Sequence, residues 1–177
     1  MTVETEEPIS VLGDRLAGLR LRDPRVLETM RRSLERHGQL TAVVAFREGE
    51  ALQIIDGFKR LHAARALGHE TLRVTTRELA ALEAKVQIAV LHDGRGLTEL
   101  EEAWLVRSIH REDGLTQGEI ARRLERHKSW VCRRLLLVEG LDSAVQADVR
   151  LGMLAPRAAV ALAALPILWN VVIGTAI

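Results

Sequence analysis

The sequence predicts an α+β domain followed by an all-α domain, and three observations carry that expectation. Between Asp23 and Leu91, stretches with helical apolar spacing alternate with short β-prone runs punctuated by glycine. After a break at residues 92–96, every apolar stripe has helical spacing. Within that second part, Thr116 and Glu119 stand three residues apart at the head of an apolar stripe, the pattern of a capping box that opens a helix-turn-helix.

Each element of the first part has a start and a stop. Asp23-Pro24-Arg25 opens a helix, with Asp23 as the cap and Pro24 in the first turn, where its missing N–H costs nothing. Leu27, Met30 and Leu34 recur on one face, and Gly38 ends the helix. Residues 41–46 and 51–55 are β-prone runs on either side of Glu48-Gly49, which reads as a hairpin. Gly57 marks a sharp turn into a helix over 59–67 that stops at Gly68, and 71–76 returns to strand character. Residues 78–91 are expected to be helical, with Leu79, Leu82, Val86 and Val90 on one face. The order helix–strand–strand–helix–strand–helix suits one compact α+β unit. The expected limits are 1–95 for this domain, 96–166 for the helical domain and 167–177 for an apolar tail.

The segment TQGEIARRLERHKSWVCRRLLLV holds the sharpest signal. Ile120, Ala121 and Leu124 face inward on the first helix, 125–127 makes the turn, and Val131, Leu135 and Val138 form the buried stripe of the second helix. Lys128, Ser129, Trp130, Cys132 and Arg133 lie off that stripe, in the turns that reach base edges when a helix enters a major groove. Arg122, Arg123 and Arg126, with Arg134, are expected to neutralise flanking phosphates. A helical hairpin with a solvated basic face is the bland alternative. Two positions depart from the usual pattern. Glu125 stands where glycine is common, and His127 where Ser or Thr would cap the second helix.

Composition narrows the classes. The chain has 177 residues, 47% hydrophobic, enough for a real core in one or two domains. Lys and Arg number 25 against 24 Asp and Glu, so overall charge argues nothing about nucleic acid; the acidic N-terminus and basic 122–134 do. Cys132 is the lone cysteine, which excludes an intrachain disulfide, and the scattered histidines lack metal-ligand spacing. No metal is expected. The N-terminus has no secretory pattern, so a cytoplasmic setting is expected.

The order of these motifs resembles the ParB/KorB family of partition proteins from Asp23 to Pro166. SLERHGQLTAVVAFREGEALQIIDGFKRLHAARALG is similar to the family's helix, strand pair, Gly-Glu-Arg-Arg box and alanine-rich helix. LTELEEAWLVRSIHREDGLTQGEIARRL and LDSAVQADVRLGMLAPRAAVALAALP are similar to the helices before and after its helix-turn-helix. The resemblance implies a ParB/sulfiredoxin-like α+β domain that binds a nucleotide, CTP or another, and a helical part that recognises a centromere-like or operator DNA site. Gly57, Phe58, Lys59 and Arg60 occupy the Gly-Glu-Arg-Arg positions, so Gly57, Lys59 and Arg60 are the nucleotide-binding candidates and the family's glutamate is replaced. The second family box falls on 90–94 without its acidic and amide groups. The Asp-Gly-x-Lys-Arg variant looks closest to forms carried by mobile elements.

The expectation is therefore a site-specific DNA-binding protein of partition or mobile-element type, more binder than enzyme. Its expected partners are DNA, a second copy of itself, and a partition ATPase or a transposase. The competing class is a nucleotide-dependent CTPase or phosphotransferase centred on 56–60, in which Asp56 would act on a substrate hydroxyl or metal; the bland reading of Asp56 is a helix cap or a pair with Arg60. The resemblance also implies a C-terminal dimerisation domain, for which no length remains, so the chain is expected to be C-terminally truncated. The charge-free run after Ala158 leaves a membrane anchor, a buried tail and a truncated end all open, with no membrane association as the expectation.

Overall fold

The computed structural model describes residues 3–91 and 96–164, and the chain divides into two compact units, 1–91 and 92–177. The expected apolar tail at 167–177, and most of the expected boundary at 92–96, lie outside the described residues.

The first unit is a five-stranded mixed sheet with helices packed on it. Its strands are β1 (Val3–Pro8), β2 (Leu12–Gly13), β3 (Val43–Glu48), β4 (Ala51–Asp56) and β5 (Thr71–Arg77), and its helices α1 (Pro24–His37), α2 (Phe58–Ala66) and α3 (Ala81–Leu91). The sheet order is β1-β5-β3-β4-β2. β3 and β4 form the expected antiparallel hairpin, and β5 lies parallel to β3, with α2 in the crossover. Asp23 accepts a hydrogen bond from the Arg25 N–H, Pro24 opens α1, and Gly38 at φ 66° ends it, as the sequence predicts. Leu34, Val43, Ala45, Leu52, Ile54, Leu61, Ala64 and Val74 close into one buried core between the sheet and the α1–α2 pair. Ile55, out of phase with Leu52 and Ile54, is equally buried, and α3 packs against β4, so both faces of this strand are covered.

Two expectations are corrected here. The sequence reading marks its first element at Asp23, but β1 precedes it and pairs antiparallel with β5 from Val3↔Thr76 to Pro8↔Thr71. Glu and Pro are depleted in strands generally, yet they suit an edge strand, where charge discourages pairing with another chain. Here Glu6 accepts from the Thr71 hydroxyl at 2.6 Å, and Arg73 pairs with Glu4 at 3.2 Å. The second correction concerns α3, which begins at Ala81 and buries Ala84, Lys85 and Ile88, while Val90 is 58% exposed. The small Ala84 faces the sheet, and the larger Leu79, Leu82, Val86 and Val90 are left partly or fully exposed.

The described residues of the second unit form five helices: α4 (Glu99–Arg111), α5 (Gln117–Arg123), α6 (Lys128–Glu139), α7 (Ser143–Leu151) and α8 (Pro156–Ala163). α4 packs on α6 and α5, and α8 packs on α6 and α7. Val106, Ile120, Val131 and Leu137 are fully buried between them. Thr98 and Glu101 make a capping box on α4, a start that the sequence reading had not marked. Among the described residues, no helix is long and apolar enough to cross a membrane.

Candidate nucleic-acid interface

The geometry around α5 and α6 follows from short-range chemistry. Thr116 Oγ1 accepts from the Glu119 N–H at 3.3 Å, and Glu119 Oε2 accepts from the Thr116 N–H at 2.8 Å and its hydroxyl at 2.6 Å. These donors hold the Glu119 carboxyl below the usual carboxylate range, with Arg122 and Arg123 adding to the effect. α5 ends in a tight turn in which the Arg126 N–H donates to the Ala121 carbonyl at 2.9 Å. Glu125 takes the left-handed conformation, φ 53°, at the position where the sequence suggested glycine. His127 then caps α6 through Nδ1, which accepts from the Ser129 N–H at 3.2 Å. An imidazole thus does the work of the usual hydroxyl.

Of the predicted stripe, Ile120 and Ala121 on α5 and Val131, Leu135 and Val138 on α6 are buried, with Leu137 added, while Leu124 at the end of α5 is only partly buried. Opposite this stripe, Arg122, Arg123, Arg126, Lys128, Ser129, Cys132 and Arg133 are exposed. On α6 the pairs Lys128/Cys132 and Ser129/Arg133 lie one turn apart, so these side chains share one outward face.

Two residues expected at the DNA surface are placed differently. Arg134 has a side chain only 11% exposed. Its Nε donates to Glu102 Oε2 at 2.7 Å and its Nη1 to Glu99 Oε2 at 3.1 Å. It is therefore held by the first turn of α4. Trp130 is half-buried, and the guanidiniums of Arg134 and Arg126 lie over its ring, 5.1 and 5.8 Å from the centroid. Sequence reasoning missed the Glu99 and Glu102 tether. The signal was present as two acids, three residues apart, in the first turn after Thr98, but their partner stands more than thirty positions away.

The nucleotide candidates gather in the first unit. Gly57, φ 95°, joins β4 to α2, and a Cβ there would stand 2.6 Å from Val43 Cγ1, so only glycine fits. Lys59 and Arg60 lie in the first turn of α2, both partly exposed. Arg60 is already engaged. Its Nη1 donates to the Thr41 carbonyl at 2.8 Å, the Thr41 hydroxyl at 2.9 Å and the Ala42 carbonyl, and its Nη2 pairs with Asp56 at 3.2 Å. Asp56 is thus a partner of Arg60. Among the described residues no group of three His, Cys, Asp or Glu side chains is placed to hold a metal. Of the second family box, Val90 is on the exposed side of α3, and 92–94 lie outside the described residues.

Comparison with known proteins agrees with this architecture. Residues 6–93 match the ParB N-terminal domain model. The chain is 28% identical over 126 residues to the nucleoid occlusion protein of Halalkalibacterium halodurans, covering 71% of this chain and 44% of that protein. It is 29% identical over 119 residues to a probable chromosome-partitioning protein ParB of Pseudomonas putida, covering 66% and 41%. The chain thus spans less than half the length of these curated relatives. Among solved structures, the C-terminally truncated partitioning protein ParB of Caulobacter crescentus, complexed to the centromeric parS site, superposes with a TM-score of 0.56 at 25% identity. That match covers 97% of this chain and 89% of the other. With an α+β unit matching the ParB N-terminal domain and curated relatives from the same group, this chain belongs to the ParB-like partition protein family.

Proposed function

We propose that this chain recognises a specific DNA site with its α5–turn–α6 unit, used as a helix-turn-helix, in DNA partition or the maintenance of a mobile element. The observation that carries the reading is the outward face of α6 with the adjoining turn: Lys128, Ser129, Arg133 and Arg126, exposed opposite a fully apolar buried stripe. In this reading Lys128, Ser129 and Arg133 approach base edges from the first turns of the helix, and Arg122, Arg123 and Arg126 sit against phosphates. The similarity over nearly the whole chain to a structure of a relative bound to its centromeric site supports the same use of these helices. One such motif reads one half-site, so a second copy completes the site.

The reading is of a binder. Arg60, which a catalytic centre at 56–60 would need for charge stabilisation, is spent on Thr41, Ala42 and Asp56. Fluorescence anisotropy with a selected duplex and a random duplex tests the proposal. Lys128→Ala and Arg133→Ala are expected to narrow the gap between the two duplexes, by about 1–3 kcal/mol for each true base contact. If both variants keep affinity and preference, α6 does not enter the groove.

A further inference from the structure

We propose that Trp130 is a positioning residue, which holds the Arg126 guanidinium at the α5–α6 turn in place to meet one DNA phosphate; the proposal rests on the DNA-binding reading above. Trp130 lies in the first turn of α6 between the exposed Ser129 and the buried Val131, and is itself half-buried. An aromatic at the head of a groove-entering helix would ordinarily be assigned to base contact. Here two guanidiniums already lie over its ring, Arg134 at 5.1 Å and Arg126 at 5.8 Å.

Two cations on one indole repel each other, so the arrangement needs compensation. Arg134 has it: Glu102 and Glu99 accept from its guanidinium at 2.7 and 3.1 Å, which more than offsets its charge. The α4 first turn thereby fixes Arg134, Arg134 lies over the indole, and the indole supports Arg126. Arg126 is anchored at its other end too, because its N–H closes the end of α5 on the Ala121 carbonyl at 2.9 Å. A long side chain held at both ends loses little further freedom when it meets a phosphate, and preorganisation of this kind strengthens binding without adding a contact. The ladder runs from Glu99 and Glu102 through Arg134 and Trp130 to Arg126.

The test is a double-mutant cycle on the full chain, read by anisotropy across a salt series with selected and random duplexes. Trp130→Ala and Arg126→Ala are each expected to weaken binding about tenfold at ~0.1 M salt and to lower the salt slope by about 1, as for loss of one phosphate contact. The double variant is expected to be no weaker than either single variant, and the preference for the selected duplex is expected to persist. Trp130→Phe, which keeps an aromatic face, is expected to retain most of the slope. Trp130→Leu keeps apolar bulk without that face, and is expected to show the same roughly tenfold loss and lowered slope, which keeps the test in force where the alanine variant fails to fold. Additive losses in the double variant, or a changed base preference on replacing Trp130, overturn the proposal while leaving DNA binding intact. A wild-type chain that binds neither duplex overturns both.

Discussion

The side chain of Val43 closes directly on the backbone of Gly57: a Cβ on residue 57 would lie 2.6 Å from Val43 Cγ1 and 3.2 Å from Val43 Cα. Val43 is fully buried, so it has nowhere to retreat. Gly57→Ala combines this overlap, typically 1–3 kcal/mol, with the cost of a side chain at φ 95°, about 1 kcal/mol. A loss of about 2–4 kcal/mol in urea unfolding is expected. A loss below ~1 kcal/mol would show that the β4–α2 turn rearranges freely.

Arg60 and Lys59, adjacent in the same helix turn, are expected to behave oppositely. Arg60→Ala removes the donor that ties Thr41, Ala42 and Asp56 together, and should destabilise by about 1–3 kcal/mol. Lys59→Ala should leave stability within about 0.5 kcal/mol, since Lys59 is partly exposed, and should weaken any nucleotide held at Gly57. Calorimetry with CTP and ATP, with and without magnesium, measures the second effect. Rapid turnover abolished by Asp56→Asn would restore the enzyme reading.

Glu125 offers a gain. Its left-handed backbone, φ 53°, costs a non-glycine residue roughly 1–2 kcal/mol, against about 0.5–1 kcal/mol of extra chain entropy for glycine. Glu125→Gly should therefore stabilise the second unit by about 0.5–1 kcal/mol, seen as a raised melting temperature. A lowered one would mean that the glutamate side chain contributes more than its backbone costs.

How much of this was legible beforehand depended on whether the signal was local. The caps at Asp23 and Thr116, the αL turn at Glu125 and the hairpin around Gly49 are short-range and read straight from neighbouring residues. β1 was not, because its acidic residues resist the usual strand pattern and its partner β5 lies some seventy residues away. The same limit hid the partners of Arg134. Periodicity puts it beside Arg133 on a basic helix, and only the fold brings Glu99 and Glu102 to it. Burial of α3 turned on Ala84, a residue whose small size gives a hydrophobicity pattern little to detect.

Acid should weaken the second unit through Glu139. Arg111 chiefly, with Arg107 and His110, holds its carboxyl below the ordinary value of 4.5, against burial acting the other way. A carboxylate with a depressed folded pKa adds stability that is complete above the unfolded value and is lost as pH falls through the folded one. Glu139→Gln should therefore lower the melting temperature at about pH 7, with the gap from wild type closing as pH falls below the ordinary carboxyl value toward the depressed folded one. A gap independent of pH would assign the loss to packing instead.

The sharpest contrast separates the neighbours Arg133 and Arg134. Arg133 is exposed on the outward face of α6, next to Cys132 and one turn from Ser129. Arg134 is 11% exposed and bridges α6 to Glu102 and Glu99 of α4. Replacing Arg133 by alanine deletes a side chain that supports nothing internal, so stability should stay within about 0.5 kcal/mol while the preference for the selected duplex falls. Replacing Arg134 strands two carboxylates, one of them 23% exposed, and removes a guanidinium from over the Trp130 ring. Partial exposure screens the Coulombic share, so about 1–3 kcal/mol of destabilisation is expected rather than the larger cost of a fully buried pair. Thermal melts and anisotropy on both variants check the two halves together. If Arg134→Ala leaves stability intact and instead abolishes site preference, Arg134 turns outward on DNA, and the ladder that supports Arg126 does not exist in the complex.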